Sequence, residues 1–377
     1  MKIMTIVGTR PDTIKLAPVL FELKSRTNIE SILCASGQHK EMLQQALDIF
    51  EINPDINLEV MSKNQTLVSL TNKLIGSISE ILETNKPEIL IVHGDTTTAF
   101  CAALAAFYKQ IPVVHIEAGL RTYNINEPFP EEFNRQAITR IADLNFAPTE
   151  NAKNNLLNEG VLENKIIVSG NTIVEALAIM RESLNNNVVI SKNTNLTLMK
   201  ILEFDYLTEN FVLVTMHRRE NIGSGIISIC EAIIELSIKF PNIKFILPVH
   251  LNPSVSFDVN NLLSGYRNVK LVTPLAYVEF VALLSEAKLI ITDSGGIQEE
   301  SVSLGKYTLV TRQSTERQEG VDAGLLEVVD TETKKIVESA SKILVNPKPD
   351  RIPKVNPYGS GHISRQIVDK ILEYYFI

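Results

Sequence analysis

The strongest constraint on this chain is an alternation. Short β-branched runs at Ile3–Val7, Ile32–Ala35, Ile89–Val92, Val113–Ile116 and Ile166–Val168 are separated by longer segments with helical spacing, such as Ile14–Lys24 and Leu67–Leu82. This pattern predicts βαβ units wound around a parallel sheet. A polar, Asn-rich stretch at Leu184–Asn195 reads as an interruption, after which the pattern restarts with Val212–Thr215, Phe245–Leu247, Lys270–Val272, Leu289–Thr292 and Tyr307–Val310. An α/β protein of two Rossmann-like, doubly wound lobes is therefore expected, with an active-site cleft between them. The length of 377 residues agrees, because single cores rarely grow beyond about 250–300 residues. The expected lobes are 1–170 and 171–359, hinged near Gly170–Asn171, with a final helix from about 360 to 377 crossing back onto the first.

In open parallel sheets a ligand sits beyond the carboxyl ends of the strands, so the residues following each run are the ones to read for chemistry. They are Gly8-Thr9-Arg10-Pro11, His93-Gly94-Asp95, Glu117-Ala118-Gly119, His217-Arg218-Arg219-Glu220 and Asp293-Ser294-Gly295-Gly296. Gly295 and Gly296 permit close backbone approach at a helix start, where free N–H groups hold an anion. Glu300, one turn further, is placed to accept hydrogen bonds from ribose hydroxyls. Arg10 and Lys15 flank another helix start at Pro11, a pair of cations suited to a pyrophosphate. Asp95 and Glu117 end successive runs and are expected to share a crevice with Glu131 and Glu132, where neighbouring carboxylates divide acid and base work. Structural alternatives stand beside these readings: a plain capped turn at Ser294, Asp95 capping the helix near Thr98, and Glu117 paired with Arg121 or Arg135. His217 beside Arg218 and Arg219 suits either a departing diphosphate or an ion-pair cluster between the lobes.

Some classes are disfavoured. There is no G-x-G-x-x-G and no Walker loop, so neither a tightly held dinucleotide cofactor nor an NTPase has a motif behind it. His39, His93, His115 and His250 lack metal-ligand spacing and read as structural, so no metal is assigned. A net charge of −8 without long single-sign runs argues against nucleic acid. Cys34, Cys101 and Cys230 form no paired spacing, which fits a reducing compartment. The apolar stretch Ala99–Ile116 is broken by Lys109, Gln110 and Pro112, and Met1–Val7 has no leader character, so a cytoplasmic protein without a membrane span is expected.

Taken in order, the motifs resemble one family, the non-hydrolysing UDP-N-acetylglucosamine 2-epimerases. The matching segments include Gly8-Thr9-Arg10-Pro11 with Ile14-Lys15, His93-Gly94-Asp95-Thr96, and His115 through Thr122. They continue with Pro130 through Arg135, Gly170-Asn171-Thr172, His217 through Asn221, Pro248 through Pro253, Asp293 through Glu300 and Thr315-Glu316-Arg317. The resemblance implies a glycosyltransferase-B-like fold, usually as a homodimer, and a reaction without cofactor. It implies that Arg10, Tyr277, Ser294, Gly295, Gly296, Glu300 and Arg317 surround UDP. It likewise implies that Lys15, Asp95, Glu117, Glu131, Arg135 and His217 surround the sugar of UDP-N-acetylglucosamine, for elimination to 2-acetamidoglucal and re-addition in surface polysaccharide synthesis. Two departures stand out. Gln318 replaces a common Pro, and Glu41 and Asn64 stand where Gln and Arg are expected at a second, activating UDP-sugar site, which weakens that activation reading. The alternatives are a hydrolysing 2-epimerase, a glycosyltransferase-B-type UDP-sugar transferase, and a non-catalytic UDP-sugar sensor.

Overall fold

The computed structural model describes residues 1–37, 40–62, 65–216, 221–249, 253–346, 350 and 352–375, leaving aside the side chains at 40–42 and 253–254. The chain divides into two compact units, Met1–Ala176 with Tyr358–Ile377, and Leu177–Pro357.

The first unit is built on β1 (Lys2–Val7), β2 (Glu30–Ala35), β3 (Ile56–Asn57), β4 (Ile89–His93), β5 (Val113–Ile116), β6 (Leu144–Ala147) and β7 (Ile166–Val168). They form one seven-stranded sheet in the order β3-β2-β1-β4-β5-β6-β7, and every pairing is parallel. A parallel sheet is covered on both faces by its crossover helices, which is why β4 is buried along its whole length and reads as a continuous apolar run. One layer of core joins Met4, Ile6, Leu90 and Val92 to Leu74, Ile78, Ala102 and Ala106 of the helices Leu67–Asn85 and Thr97–Tyr108. Two strands of this sheet escape the sequence pattern. β3 has only two residues, and β6 carries a central Asn145 in place of a β-branched residue.

The second unit contains β8 (Phe211–Thr215), β9 (Lys244–Pro248), β10 (Val269–Val272), β11 (Leu289–Thr292), β12 (Thr308–Val310) and β13 (Leu326–Val328). Their order is β10-β9-β8-β11-β12-β13, again parallel throughout. The Asn-rich stretch is a correction to the sequence reading. Leu184–Asn195 is helical, divided between Thr172–Asn186 and Val188–Leu202. Asn187 marks the break, its side chain accepting from the N–H groups of Val189 (3.1 Å) and Ile190 (3.2 Å). Asparagine is a weak helix former but a strong N-cap, and the second helix is anchored by buried Leu198 and Leu202, four residues apart.

The division between the units falls inside the helix Thr172–Asn186, after Ala176. At Gly170 the outgoing chain meets the returning one. Its φ of +88° and the 2.7 Å that would separate a Cβ from the Tyr358 carbonyl oxygen leave room only for glycine. Asn171 donates its backbone N–H to that carbonyl at 2.7 Å. The last helix, Ile363–Tyr375, packs on the helix Arg10–Ser25 of the first unit, with Arg26 paired to Asp369 at 2.6 Å. Among the described residues, no helix is long and apolar enough to cross a membrane.

Each sheet has one point where strand order reverses. In the first it lies between β1 and β4, in the second between β8 and β11. The loops leaving those strands diverge to opposite faces and open the crevice used for ligands in doubly wound sheets. They are the segments after Val7, His93, Thr215 and Thr292.

Candidate active site

In the first unit, β1 runs through Gly8 and Thr9 into the helix Arg10–Ser25. Gly8 is required by packing, since a Cβ there would lie 2.6 Å from Thr98 Cβ. Asp12 sits in the first helical turn and accepts from the N–H groups of Thr9 (3.2 Å) and Gly8 (3.4 Å). One turn on, buried Lys15 forms an ion pair with Glu117, the residue that follows β5. Glu117 holds a left-handed backbone, φ +64°, a conformation that costs a non-glycine residue about 1–3 kcal/mol and that clusters at functional sites. Its Oε2 also accepts from Asn171 Nδ2 at 2.7 Å. Asp95, after β4, has Arg135 Nη1 3.6 Å from its carboxylate, while its carbonyl accepts from Asn134 Nδ2 at 2.9 Å.

The two adjacent glutamates separate. Glu131 opens the helix Glu131–Ile141 and is near enough for its charge to act on Asp95. Glu132 is fully buried, accepting from Arg135 Nε and Gln136 Nε2, both at 2.7 Å, and from the backbone of Thr122 and Tyr123, both at 3.1 Å. Burial opposes ionisation of Glu132, yet Arg135 and these hydrogen bonds outweigh it and hold its pKa low, so it is a structural anchor. For Asp95 burial dominates and raises the pKa. The charges of Glu117 and Glu131 add to this, against Arg135 and Lys15. A carboxyl group that keeps its proton more readily than usual is suited to acid–base work. The pairings present include Glu117 with Lys15 and Arg121 with Glu159 at 2.6 Å, and the helix Thr97–Tyr108 is capped by Thr96.

Asp12 carries a stability signature. Burial raises its pKa from the ordinary 3.8 to about 7. An acid whose pKa rises on folding is fully compatible with the fold below its unfolded pKa. Stability is lost as pH climbs from about 4 to about 7, because the unfolded chain releases the proton first. Asp12→Asn keeps an acceptor for Gly8 and Thr9 and is expected to abolish that loss. In urea titrations at pH 5 and pH 8 the variant should gain relative to the parent at the higher pH, by at most about 4 kcal/mol. Equal pH dependence of the two proteins would refute the assignment.

In the second unit, buried Asp293 follows β11 and accepts from Asn221 Nδ2 at 3.1 Å. Ser294 is the N-cap residue of the helix Gly295–Ser303, and its side chain makes no capping bond. A Cβ on Gly295 would lie 2.8 Å from Cζ of Arg317, so glycine lets the guanidinium pack against the helix start. Arg317 is held by Glu299 at 2.9 Å and Glu316 at 3.2 Å. Thr315 donates to Gln298 Oε1 at 2.6 Å, and Gln298 Nε2 donates to the Ser294 carbonyl at 3.1 Å, tying this loop to the helix. A Cβ on Gly296 would meet open space. Backbone N–H groups, the helix dipole and an adjacent guanidinium make a place for a phosphate. Tyr277 donates its hydroxyl to Glu300 Oε1 at 2.7 Å, both residues being buried.

Lys15, Asp95, Glu117, Glu131 and Arg135 are thus gathered in the first unit, where Arg10 starts its helix, and Tyr277, Ser294, Gly295, Gly296, Glu300 and Arg317 in the second. His217, with Arg218, Arg219, Glu220, His39, His250 and Asn64, lies outside the described residues, as does the side chain of Glu41. Gln318 begins a short helix, Gln318–Asp322, and bonds Asp322 at 3.1 Å. Sequence reasoning missed Asp12 and Asn171, which stand behind the site, Asp12 under the Gly8–Thr9 turn and Asn171 against Glu117. For Asp12 a signal existed, the Thr-x-x-Asp spacing of a capping box. Asn171 stood only within the matching segment Gly170-Asn171-Thr172, and nothing in that segment tied it to Glu117, 54 positions away.

A family model described as UDP-N-acetylglucosamine 2-epimerase matches residues 21–372. A UDP-N-acetylglucosamine 2-epimerase of Neisseria meningitidis is 46% identical over 99% of this chain and 100% of its own length. One from Yersinia pestis is 44% identical over 98% and 97%. The crystal structure of a Neisseria meningitidis enzyme bound to UDP-N-acetylglucosamine superposes with a TM-score of 0.94 at 46% identity, covering 99% of this chain and 100% of that one. The enzyme of Methanocaldococcus jannaschii, solved with UDP-N-acetylglucosamine and UDP, gives 0.87 at 35% identity, over 99% and 100%.

Proposed function

We infer, because this chain belongs to the UDP-N-acetylglucosamine 2-epimerase family, that it interconverts UDP-N-acetylglucosamine and UDP-N-acetylmannosamine by expelling UDP and adding it back. Carbon 2 of the sugar has no neighbouring carbonyl, so its proton is too weakly acidic for direct removal by a carboxylate. Stretching the anomeric C–O bond places positive charge on carbon 1 and acidifies that proton. Stabilising the leaving group and abstracting the proton are therefore one concerted task. Arg317 and the Ser294–Gly296 turn of the second unit take the diphosphate, aided by Arg10, Lys15 and His217. Tyr277 and Glu300 serve the nucleoside. Asp95, Glu117 and Glu131 serve carbon 2, with Arg135 orienting Asp95. Two of the three carry the proton on opposite faces of a 2-acetamidoglucal intermediate.

The observation that supports this reading is the convergence of these carboxylates after β4 and β5 and at the head of the helix Glu131–Ile141, with proton affinity raised at Asp95. The same reading extends, by family likeness, to a cytoplasmic homodimer that supplies surface polysaccharide synthesis. Proton NMR of UDP-N-acetylglucosamine with the purified protein in deuterated water tests the chemistry. The expected outcome is an equilibrium of two UDP-sugars, each deuterated at carbon 2. Accumulation of UDP and free sugar would instead establish hydrolysis, and an unchanged spectrum would end the enzymatic reading.

A further inference from the structure

His93 ends β4, is 3% exposed, and neither of its ring nitrogens has a hydrogen-bond partner among the described residues. Such a group is costly to bury unless something else uses it. A carboxylate faces each nitrogen. Nε2 is 3.8 Å from Glu117 Oε2, and Nδ1 is 3.9 Å from Asp12 Oδ1. Each gap is about one ångström beyond hydrogen-bond length, within reach of a small side-chain rotation. On its far side Asp12 Oδ2 accepts from Thr96 Oγ1 at 3.4 Å, next in sequence to Asp95. The charged and titratable groups facing this line are Lys15 from the helix Arg10–Ser25, Asp95 after β4, and His115 and Glu117 from β5 and its end.

The proposed chemistry creates a need that this line meets. When one carrier takes a proton from one face of carbon 2 and another gives one to the opposite face, each turnover leaves both carriers in the wrong state. The first must discharge and the second must be recharged before the reaction can run again in the same direction. We propose that His93 and Asp12 form a proton relay that resets Glu117 between turnovers. The proposal rests on the epimerase reading above. The step is a tautomer exchange. Protonated Glu117 gives its proton to Nε2 of neutral His93, while the proton on Nδ1 passes to the Asp12 carboxylate. One O–H and one N–H bond break, one N–H and one O–H form, and the imidazole stays neutral. The relay is restored when Asp12 releases its proton to solvent beside partly exposed Thr96 and the neutral ring turns over to present a bare nitrogen to Glu117 again. Burial, which holds the His93 pKa down at about 3, suits a ring that relays without becoming a cation. An Asp12 pKa of about 7 suits a site that both accepts and returns a proton near neutrality. His93 and Asp12 act through Glu117 and are positioning residues, since neither is assigned a contact with the sugar.

A reset limits repeated turnover and not the first. The test compares steady-state kcat with the single-turnover rate, measured by rapid quench with enzyme in excess over UDP-N-acetylglucosamine after equilibration in the same buffer. His93→Gln retains polarity but not tautomer exchange, and is expected to lower kcat by about tenfold to a hundredfold while the single-turnover rate stays within about threefold of the parent. Asp12→Asn, which keeps the helix cap, should show the same split and serves if His93→Gln does not fold. Equal loss in both regimes would mean a structural role, and loss in neither would mean no role. Both results overturn the relay while leaving the epimerase reading intact. Only absence of epimerisation by the parent protein would remove that reading.

Discussion

Glu117→Gln is expected to lower turnover of UDP-N-acetylglucosamine by about three orders of magnitude while UDP affinity, read by isothermal calorimetry, stays within about twofold of the parent. The substitution is nearly isosteric, so the loss isolates the charge and the exchangeable proton. Glu117 is the best-held of the three carboxylates. Its backbone is in the left-handed region, Lys15 pairs with it, and Asn171 bonds it at 2.7 Å. Removing its charge also takes a carboxylate from buried Lys15, and one-sided removal of a buried pair costs about 3–5 kcal/mol. Turnover should therefore be measured well below the unfolding midpoint. Glu132→Gln gives the contrast. Glu132 faces Arg135, Gln136 and two backbone N–H groups, so its replacement should cost stability more than turnover. Asp95→Asn and Glu131→Gln should each lose at least about two orders of magnitude in turnover. Near-parental turnover in all three carboxylate variants would discard the assignment.

How much of this was visible beforehand depends on the range of the interaction. Strand ends were legible because a parallel strand must be apolar on both faces, and the loops after β1, β4, β5 and β11 followed from the sheet rule alone. β3 was not, since a pairing of two residues has no period to detect. The segment Leu184–Asn195 misled because composition outweighed the spacing of Leu198 and Leu202 in the helix that follows Asn187. Within the site, residue types pointed to acids beside a phosphate locus, but not to which acid was which. Glu131 and Glu132 are adjacent in sequence and divided only by the helix that turns one inward onto Arg135. His93 was read as a satisfied structural histidine, and no spacing in the sequence shows that its ring nitrogens have no hydrogen-bond partner among the described residues.

Gly119→Ala tests whether the loop carrying Glu117 is held from behind. Gly119 has φ +90°, and a Cβ there would collide with the Ala152 carbonyl group, 2.8 Å from its carbon. Those atoms belong to the backbone of the helix Glu150–Asn158, which cannot swing aside as a side chain can. The Gly119 carbonyl also accepts from Asn155 Nδ2 at 2.9 Å, so helix and loop are fastened together. Gly160 supplies a matched control, with φ +83° and nothing within 4 Å of a built Cβ. Gly160→Ala should cost about 1 kcal/mol, the left-handed penalty alone. Gly119→Ala adds the collision and should cost about 3–5 kcal/mol in urea titrations, the scale of an overpacked, strained site. Because the loop must move away from the helix, and Glu117 lies two residues upstream, the folded fraction should also lose about tenfold or more in turnover, a loss the control does not share. Should the two alanine variants match in both stability and turnover, the helix behind the loop has no part in placing Glu117, and its strained backbone must be held from the Lys15 and Asn171 side alone.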